Sequence, residues 1–503
     1  MAPQTLLEMI SGADDHAALV APDKPEVSYR QMRENIRSLA AQLNSFGLGR
    51  GDRIAVAMAN GPEIVLTFYA GATAATVCPL NPKYKTEEFA FYYEDTMAKA
   101  LITLPGAQAD AHAAVRPGML VIEAVAGSDG TLSFRLAKGE ALTARSTDPA
   151  KADDVAMILH TSGTTSRPKR VPLRHRNLTA SARNIVGTYE LTAKDTALCV
   201  MPLFHIHGIS ASLNATLASG GTVICPAGFD ALNFWPIVDA FKPTWYSAVP
   251  TMHQMLLARA DHNAAVIKAN RFRFARSSSA PLPPVIMERL EEVLETPVLE
   301  SYGMTEASHQ MASNPLPPKA RKGGKVGIGF GVDVGIMDDA GSLMPQGEVG
   351  EVVVRGENVV DGYENNPEAN KTAFVNGWFR TGDQGYLDPD GYLALTGRLK
   401  ELINRGGEKI SPLEIDDVLL RHPAVAEALA FAVPHKSYGE DIHAAIVVRA
   451  AMTVTDRELK EHCAKHLAEF KVPRRFHMLE QIPRGATGKL KRIDMAKLLN
   501  ITG

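Results

Sequence analysis

The chain has 503 residues, more than one hydrophobic core ordinarily organises, so several domain-sized units are expected. Apolar residues at 45% and charged residues at 22% are those of a globular protein, and 40 Gly with 31 Pro point to turns rather than disorder. A formal charge of -3 supplies no global basic field, and no apolar run reaches membrane-spanning length, so nucleic acid partners and membrane insertion are not expected. In chain order, Ser28 followed three positions later by Gln31 reads as a capping box, and Met32, Ile36, Leu39, Ala40 and Leu43 recur at helical spacing until Gly47 can close the helix. Residues 53–58 read as a buried strand, 64–75 as a helix, 222–225 and 244–249 as strands, and 283–294 as a helix.

This alternation favours α/β layers with parallel strands. From 347 to 395 the texture changes to short strands between Gly, Asn and Asp turns, as in GEVGEVVVRG and DQGYLDPDGYLALTG, which predicts a small β-rich subdomain. Beyond Arg398 a smaller α+β unit is expected, with strands at 427–433 and 442–448 and a helix capped by Thr455 and Glu458 that places Leu459, Cys463, Leu467 and Phe470 on one face. The expected architecture is α/β: a large N-terminal domain over 1–398, made of layered α/β subdomains plus the β-rich subdomain, then a small mobile α+β domain over 399–503. Cys78, Cys199, Cys225 and Cys463 are scattered without CxxC or metal-ligand spacing, which reads as four reduced, mostly buried thiols. With no signal-peptide core in MAPQTLLEMISGADDH and no targeting address in LLNITG, a cytoplasmic location is the expectation.

The stretch LHTSGTTSRPKRVPL at 159–173 carries the densest chemistry. A Walker A loop needs Gly, four residues, then Gly-Lys-Ser/Thr; here Gly163 is followed by TTSRPKR, so that loop is excluded. Thr161, Ser162, Thr164 and Thr165 supply hydroxyl donors, Gly163 lets backbone amides approach, and Lys169 adds a charge, which suits a clamp on a polyphosphate. Taken alone, the stretch reads equally well as a polar surface loop.

It does not stand alone. TSGTTSRPK at 161–169, PLFHIHG at 202–208, SSSAPL at 277–282, ESYGMTEA at 300–307, GWFRTGD at 377–383, GRLKELINRGGEKISPLEI at 397–415 and PRGATGKLKR at 483–492 follow in one order. In that order they resemble the signatures of the adenylate-forming superfamily of acyl-CoA synthetases, nonribosomal adenylation domains and luciferases. The resemblance implies two half-reactions: a carboxylate attacks the α-phosphate of ATP with Mg2+ present, giving an acyl-adenylate and pyrophosphate, and the thiol of CoA then displaces AMP. Both steps bring anion to anion, so the site needs cations and donors rather than a protein nucleophile.

By resemblance, the 161–169 loop holds the β- and γ-phosphates, Thr305 donates to the α-phosphate, and Glu306 is the Mg2+ ligand. Tyr302 offers a face to adenine opposite Ser279, Ala280 and Pro281, and Glu300, Ser301, Gly303 and Met304 complete the nucleotide-binding stretch. Asp383 and Arg398 match the ribose-binding positions. Lys489 matches the lysine that bridges carboxylate and ribose-phosphate oxygens during adenylation, Lys400 matches the hinge, and Gly406, Gly407 and Glu408 match the passage for the pantetheine arm of CoA.

Within the superfamily the resemblance points to the oxalate–CoA ligase branch, through HTSGTTSRPK with Ser166, TWYSAVPTMHQ, RSSSAPL and EASHQMASNPLP. Malonate ligases place an Arg immediately before the Tyr of YGMTE, where this chain has Ser301, and malonate is demoted accordingly. A short diacid still needs its second carboxylate paired once buried. His309 and Ser279 are the candidate partners, with His205 lining the pocket; Arg276 is read as capping a strand end, and His207 and His253 as packing or supporting groups. One departure from the family is Arg170, where a Gly normally follows Pro-Lys. Three alternatives remain open: a CoA ligase for another short or aromatic acid, an adenylating enzyme that loads a carrier protein, and a non-catalytic acyl-adenylate binding protein.

Overall fold

The computed structural model describes residues 2–145, 148–161, 168–484 and 490–501. The helix Tyr29–Ser45 starts at Ser28, whose hydroxyl accepts from the Gln31 amide while the Gln31 side chain accepts from the Ser28 amide, so both halves of the capping box form. Its buried stripe includes Tyr29, Met32, Ile36, Leu39 and Leu43. Against it packs Pro62–Ala74, which is buried on nearly all faces and therefore carries no amphipathic stripe. Proline at its first turn, where an amide hydrogen would lack a partner, sets its start two residues before the expected 64.

Among the described residues the strands form four sheets. The first has seven strands, with Arg53–Val56 between Thr76–Pro79 and Ala100–Thr103, all parallel, and the hairpin Val155–Thr161/Lys169–Arg174 at one edge. The second has eight, in which Thr196–Leu198, Trp245–Ala248, Phe274–Ser277 and Val298–Met304 run parallel side by side and His309–Ser313 turns back along the last. Helices between these strands bury their apolar faces on the sheets, giving the layered α/β arrangement expected from the alternation.

A third, five-stranded antiparallel sheet holds Asp333–Met337, Gly350–Arg355, Trp378–Leu387 and Leu393–Arg398, so the β-rich segment begins before 347. The fourth sheet is drawn from Ile403–Arg405, Glu408–Ile410, Val425–His435, Gly439–Val448 and Arg475–Met478, over its own core of Ile403, Ile415, Leu419, Ile442, Leu459 and Cys463. The capped helix here is Asp456–His466. Phe470 does not lie on its face as expected: the helix ends before it and its ring is 43% exposed. The four cysteines are free and buried, and none of the described helices is long and apolar enough to cross a membrane.

Candidate active site

Parallel strands present their carboxyl ends on one edge, where ligands of open α/β sheets bind. Ser279 follows Phe274–Ser277 at that edge, Thr305 and Glu306 follow Val298–Met304, and His205 and His207 lie beyond Thr196–Leu198. His207 opens a π-helical stretch, His207–Asn214, a geometry concentrated at functional sites. Ser279, Ser308 and His309 all have positive φ, at 72°, 51° and 106°, which for residues other than glycine marks backbone held in place by its surroundings. Gly303 makes the last of these possible, because a Cβ there would stand 2.0 Å from the His309 carbonyl oxygen.

The nucleotide candidates form two linked groups. The Tyr302 hydroxyl donates to Asp383 Oδ2 at 2.5 Å, and Arg398 Nε lies 3.1 Å from Asp383 Oδ1, so three expected residues meet around one carboxylate. Burial, then the Asp383 charge, pushes the Tyr302 phenol well above its ordinary range. In the second group the Tyr363 hydroxyl donates to Glu306 Oε1 at 2.7 Å, while the Lys169 ammonium lies 4.4 Å from the centroid of the same ring. Burial lowers the Lys169 pKa, with Glu306 raising it and Lys400 lowering it further, so the expected hinge residue is an electrostatic neighbour of the phosphate-loop lysine. Tyr363 was not anticipated; a lone Tyr between two loops carries no motif. Glu306 is a buried hard-oxygen donor, which fits Mg2+, an ion that keeps few protein ligands beside phosphate oxygens.

Glu300 is spent differently from its neighbours. Its Oε1 accepts from the Leu282 amide at 3.0 Å, tying down the segment after Pro281, whereas Oε2 is buried without a hydrogen-bond partner among the described residues. Burial pushes its carboxyl from 4.5 up to about 8, with the Asp417 charge adding to the rise. A raised carboxyl favours the fold while protonated, so this contribution is complete below pH 4.5 and is lost as pH rises through about 8. Glu300→Gln is therefore expected to match wild type in urea unfolding near pH 4.5 and to exceed it above pH 8, by on the order of a few kcal/mol at most. A gain that did not grow with pH would show that Glu300 ionises in the fold as it does in water. The Ser301 hydroxyl donates to the Ser277 carbonyl at 3.3 Å across the two strands.

The acid candidates sit over a group that the sequence did not announce. Arg276 does not cap a strand end: it lies within Phe274–Ser277, between two parallel neighbours, and its side chain is fully buried. Its Nε donates to Tyr189 Oη at 2.7 Å and Nη1 to Ser247 Oγ at 2.9 Å, with His207 Nε2 at 3.2 Å; Nη2 lies 3.3 Å from His309 Nδ1 and donates to Gln310 Oε1 at 3.2 Å. His207 Nδ1 lies 2.9 Å from Ser279 Oγ, and the rings of His207 and His309 are 4.8 Å apart. His205 joins through its Nδ1, which accepts from the His207 amide at 3.2 Å. Burial, followed by the charges of His309 and Arg276, holds His207 well below the ordinary histidine range. His253 contacts Tyr246 Oη at 3.1 Å and the Arg276 carbonyl at 3.3 Å, the supporting role expected of it. Expected partners Ser279 and His309 are thus brought together, and an arginine directly after the apolar pair Phe274–Ala275, inside a strand, was the available signal for the rest.

The departure at Arg170 has a local structural basis. It pairs with His160 in the hairpin with an ordinary φ, and its guanidinium binds Glu364 at 3.2 Å and the Asp95 carbonyl, so this position needs no glycine. Thr161 and Lys169 face each other as cross-strand partners; Ser162, Gly163, Thr164, Thr165 and Lys489 lie outside the described residues. Gly406 and Gly407, at φ 63° and 98°, form the tight turn between Ile403–Arg405 and Glu408–Ile410, and their amides donate to Tyr438 and Asn404 of the same sheet. Ala280, Pro281 and Glu408 are at the surface or near it. A cavity of about 560 Å³ lined by Arg50, Arg53, Thr73 and Asp154 contains none of the site residues, so chemistry rather than volume locates the site.

Residues 9–364 match the family model of the AMP-binding enzyme, and residues 414–489 match that of the AMP-binding enzyme C-terminal domain. Among curated proteins, the chain is 46% identical to an oxalate–CoA ligase of Arabidopsis thaliana, over 96% of this chain and 95% of that one. It is 41% identical to an oxalate–CoA ligase of Saccharomyces cerevisiae, over 97% and 96% respectively. Among solved structures, ATP-bound MatB from Rhodopseudomonas palustris superposes with a TM-score of 0.87 at 29% identity, covering 99% of this chain and 98% of that one.

Proposed function

The chain belongs to the AMP-binding, adenylate-forming enzyme family, and from that premise we propose that it is an oxalate–CoA ligase. It is an AMP-forming acid–CoA ligase that uses ATP, Mg2+ and CoA. A carboxylate oxygen attacks the α-phosphorus of ATP, pyrophosphate leaves, and the CoA thiol then attacks the acyl carbon of the mixed anhydride, losing its proton as AMP departs. Asp383 and Arg398 receive the ribose, the Tyr302 ring receives adenine, and Lys169 with Thr161 flanks the β- and γ-phosphates. Mg2+ held by Glu306 would neutralise charge on phosphate oxygens. Lys489 serves the first half-reaction, and rotation at Lys400, at the start of the domain over 399–503, exchanges it for Gly406, Gly407 and Glu408 and the CoA arm.

Oxalate is favoured by one observation above the others: the acid candidates Ser279 and His309 stand over the buried Arg276 guanidinium, whose contacts among the described residues are all with neutral groups. Identity to two ligases bearing that substrate in their names supports the same reading. Free buried thiols support a reducing, cytoplasmic setting.

The test is pyrophosphate release with ATP and Mg2+ across oxalate, malonate, acetate, a medium-chain fatty acid and a cinnamate, each with and without CoA. A CoA-coupled signal with oxalate exceeding the others by at least about a hundredfold in kcat/KM is expected, the scale set by leaving a buried charge unpaired. Preference for another acid would retain the chemistry and remove oxalate, while silence throughout would remove the ligase.

A further inference from the structure

We propose that Arg276 is the positioning residue of the acid pocket: its guanidinium fixes the imidazole tautomers of His207 and His309 and lends its charge, through them, to the second carboxylate of the diacid. The inference rests on the oxalate reading above and assigns its selectivity to a residue beneath the pocket wall.

An arginine has five N–H donors, no acceptor and no accessible neutral form. All five of these donors meet neutral partners: Tyr189, Ser247, His207, His309 and Gln310. Each of these five residues is at most 3% exposed. A permanent charge in such a shell is solvated by dipoles but not neutralised, and burying one without a counter-ion is costly. A second anion arriving with substrate supplies that counter-ion; a monocarboxylate, whose single carboxylate is committed to the α-phosphate of ATP, does not.

The geometry also dictates where the protons are. Arg276 can only donate, so the ring nitrogens that face it, Nε2 of His207 and Nδ1 of His309, must present lone pairs. Ser247, whose Oγ accepts from Arg276 and stands 2.7 Å from His207 Nε2, then donates its own hydroxyl proton into the same nitrogen. His207 therefore carries its proton on Nδ1, which donates to Ser279 Oγ at 2.9 Å and turns the Ser279 hydroxyl proton away from the ring. His309 carries its proton on Nε2, the edge opposite Arg276. Both rings are neutral donors on their far sides, polarised by a cation behind them, and hydrogen bonds chained in this way strengthen one another. The Ser279 hydroxyl, set by His207, and the His309 Nε2–H, both ordered by one fixed charge, suit a planar carboxylate. The left-handed backbone at Ser279 and His309 shows that their neighbours hold both positions against local preference.

The experiment compares wild type, Arg276→Gln and Arg276→Lys in oxalate kinetics, with imidazole nitrogen NMR on the wild-type protein. Arg276→Gln is expected to raise KM for oxalate about a hundredfold with KM for ATP unchanged; Arg276→Lys, which keeps the charge without the fork, recovers part of the loss. In the wild-type spectrum His207 is expected as the Nδ1–H tautomer and His309 as the Nε2–H tautomer. KM for oxalate and for ATP rising together, or a loss confined to kcat, would overturn the proposal, as would either ring with the opposite tautomer. If Arg276→Gln does not fold, the lysine variant and the tautomers decide. If wild type leaves oxalate untouched, the substrate reading fails on its own, and the tautomers still decide whether Arg276 sets the two rings.

Discussion

Lys489→Ala is expected to lower acyl-adenylate formation by about a thousandfold while sparing thioester formation from supplied acyl-adenylate, because a single cation aimed at charge that develops in the transition state is worth that much in a water-poor site. The asymmetry follows from the proposed two-step logic, in which the lysine would be needed only while the α-phosphate is attacked. Nearby, Arg492 pairs with Asp416 at 2.7 Å and with Glu401 at 3.1 Å, so the chain just beyond Lys489 is tied to the residue after Lys400. A rotation at Lys400, as proposed, would therefore carry this segment with it. The measurement is single-turnover pyrophosphate release beside CoA-dependent consumption of synthetic acyl-adenylate. Equal loss in both assays would remove Lys489 from its assigned half-reaction.

Glu306→Gln is expected to cost about a hundredfold in kcat/KM for pyrophosphate release and to move half-saturation by Mg2+ to higher concentration, since an amide oxygen is a weaker partner for a hard cation than a carboxylate. The variant keeps an oxygen for the Tyr363 hydroxyl, so the fold has no reason to respond. Titrating Mg2+ at saturating ATP checks this. An unchanged Mg2+ dependence would reassign Glu306 to holding Tyr363 alone.

How much of this was legible in the sequence depended on distance along the chain. The capping boxes at Ser28 and Thr455 and the stripe from Met32 to Leu43 are local, written within one or two turns, and they formed as expected. Tyr302, Asp383 and Arg398 are far apart in the chain, yet each lay inside a motif, and the structure brings them together. Arg276 and Ser247 lay inside quoted stretches, RSSSAPL and TWYSAVPTMHQ, but their contact comes from parallel strands laid side by side, a register that short-range periodicity does not encode, and Tyr189 and Tyr363 had no motif. Arg276 was misread for that reason, since an arginine next to SSS looks like an edge residue until both neighbouring strands are in place. Phe470 failed in the opposite sense, where helical spacing continued beyond the point at which the backbone left the helix.

The ring of Tyr363 has a further consequence. With the Lys169 ammonium over its face and the Glu306 carboxylate at its hydroxyl, it acts as an insulating spacer between opposite charges that would otherwise collapse onto each other. Direct contact would leave a neutral pair with little attraction for either a phosphate or a metal ion. Held apart by the width of one phenol, the two groups remain separate terminals, one for each sign of the magnesium nucleotide in the proposed reaction.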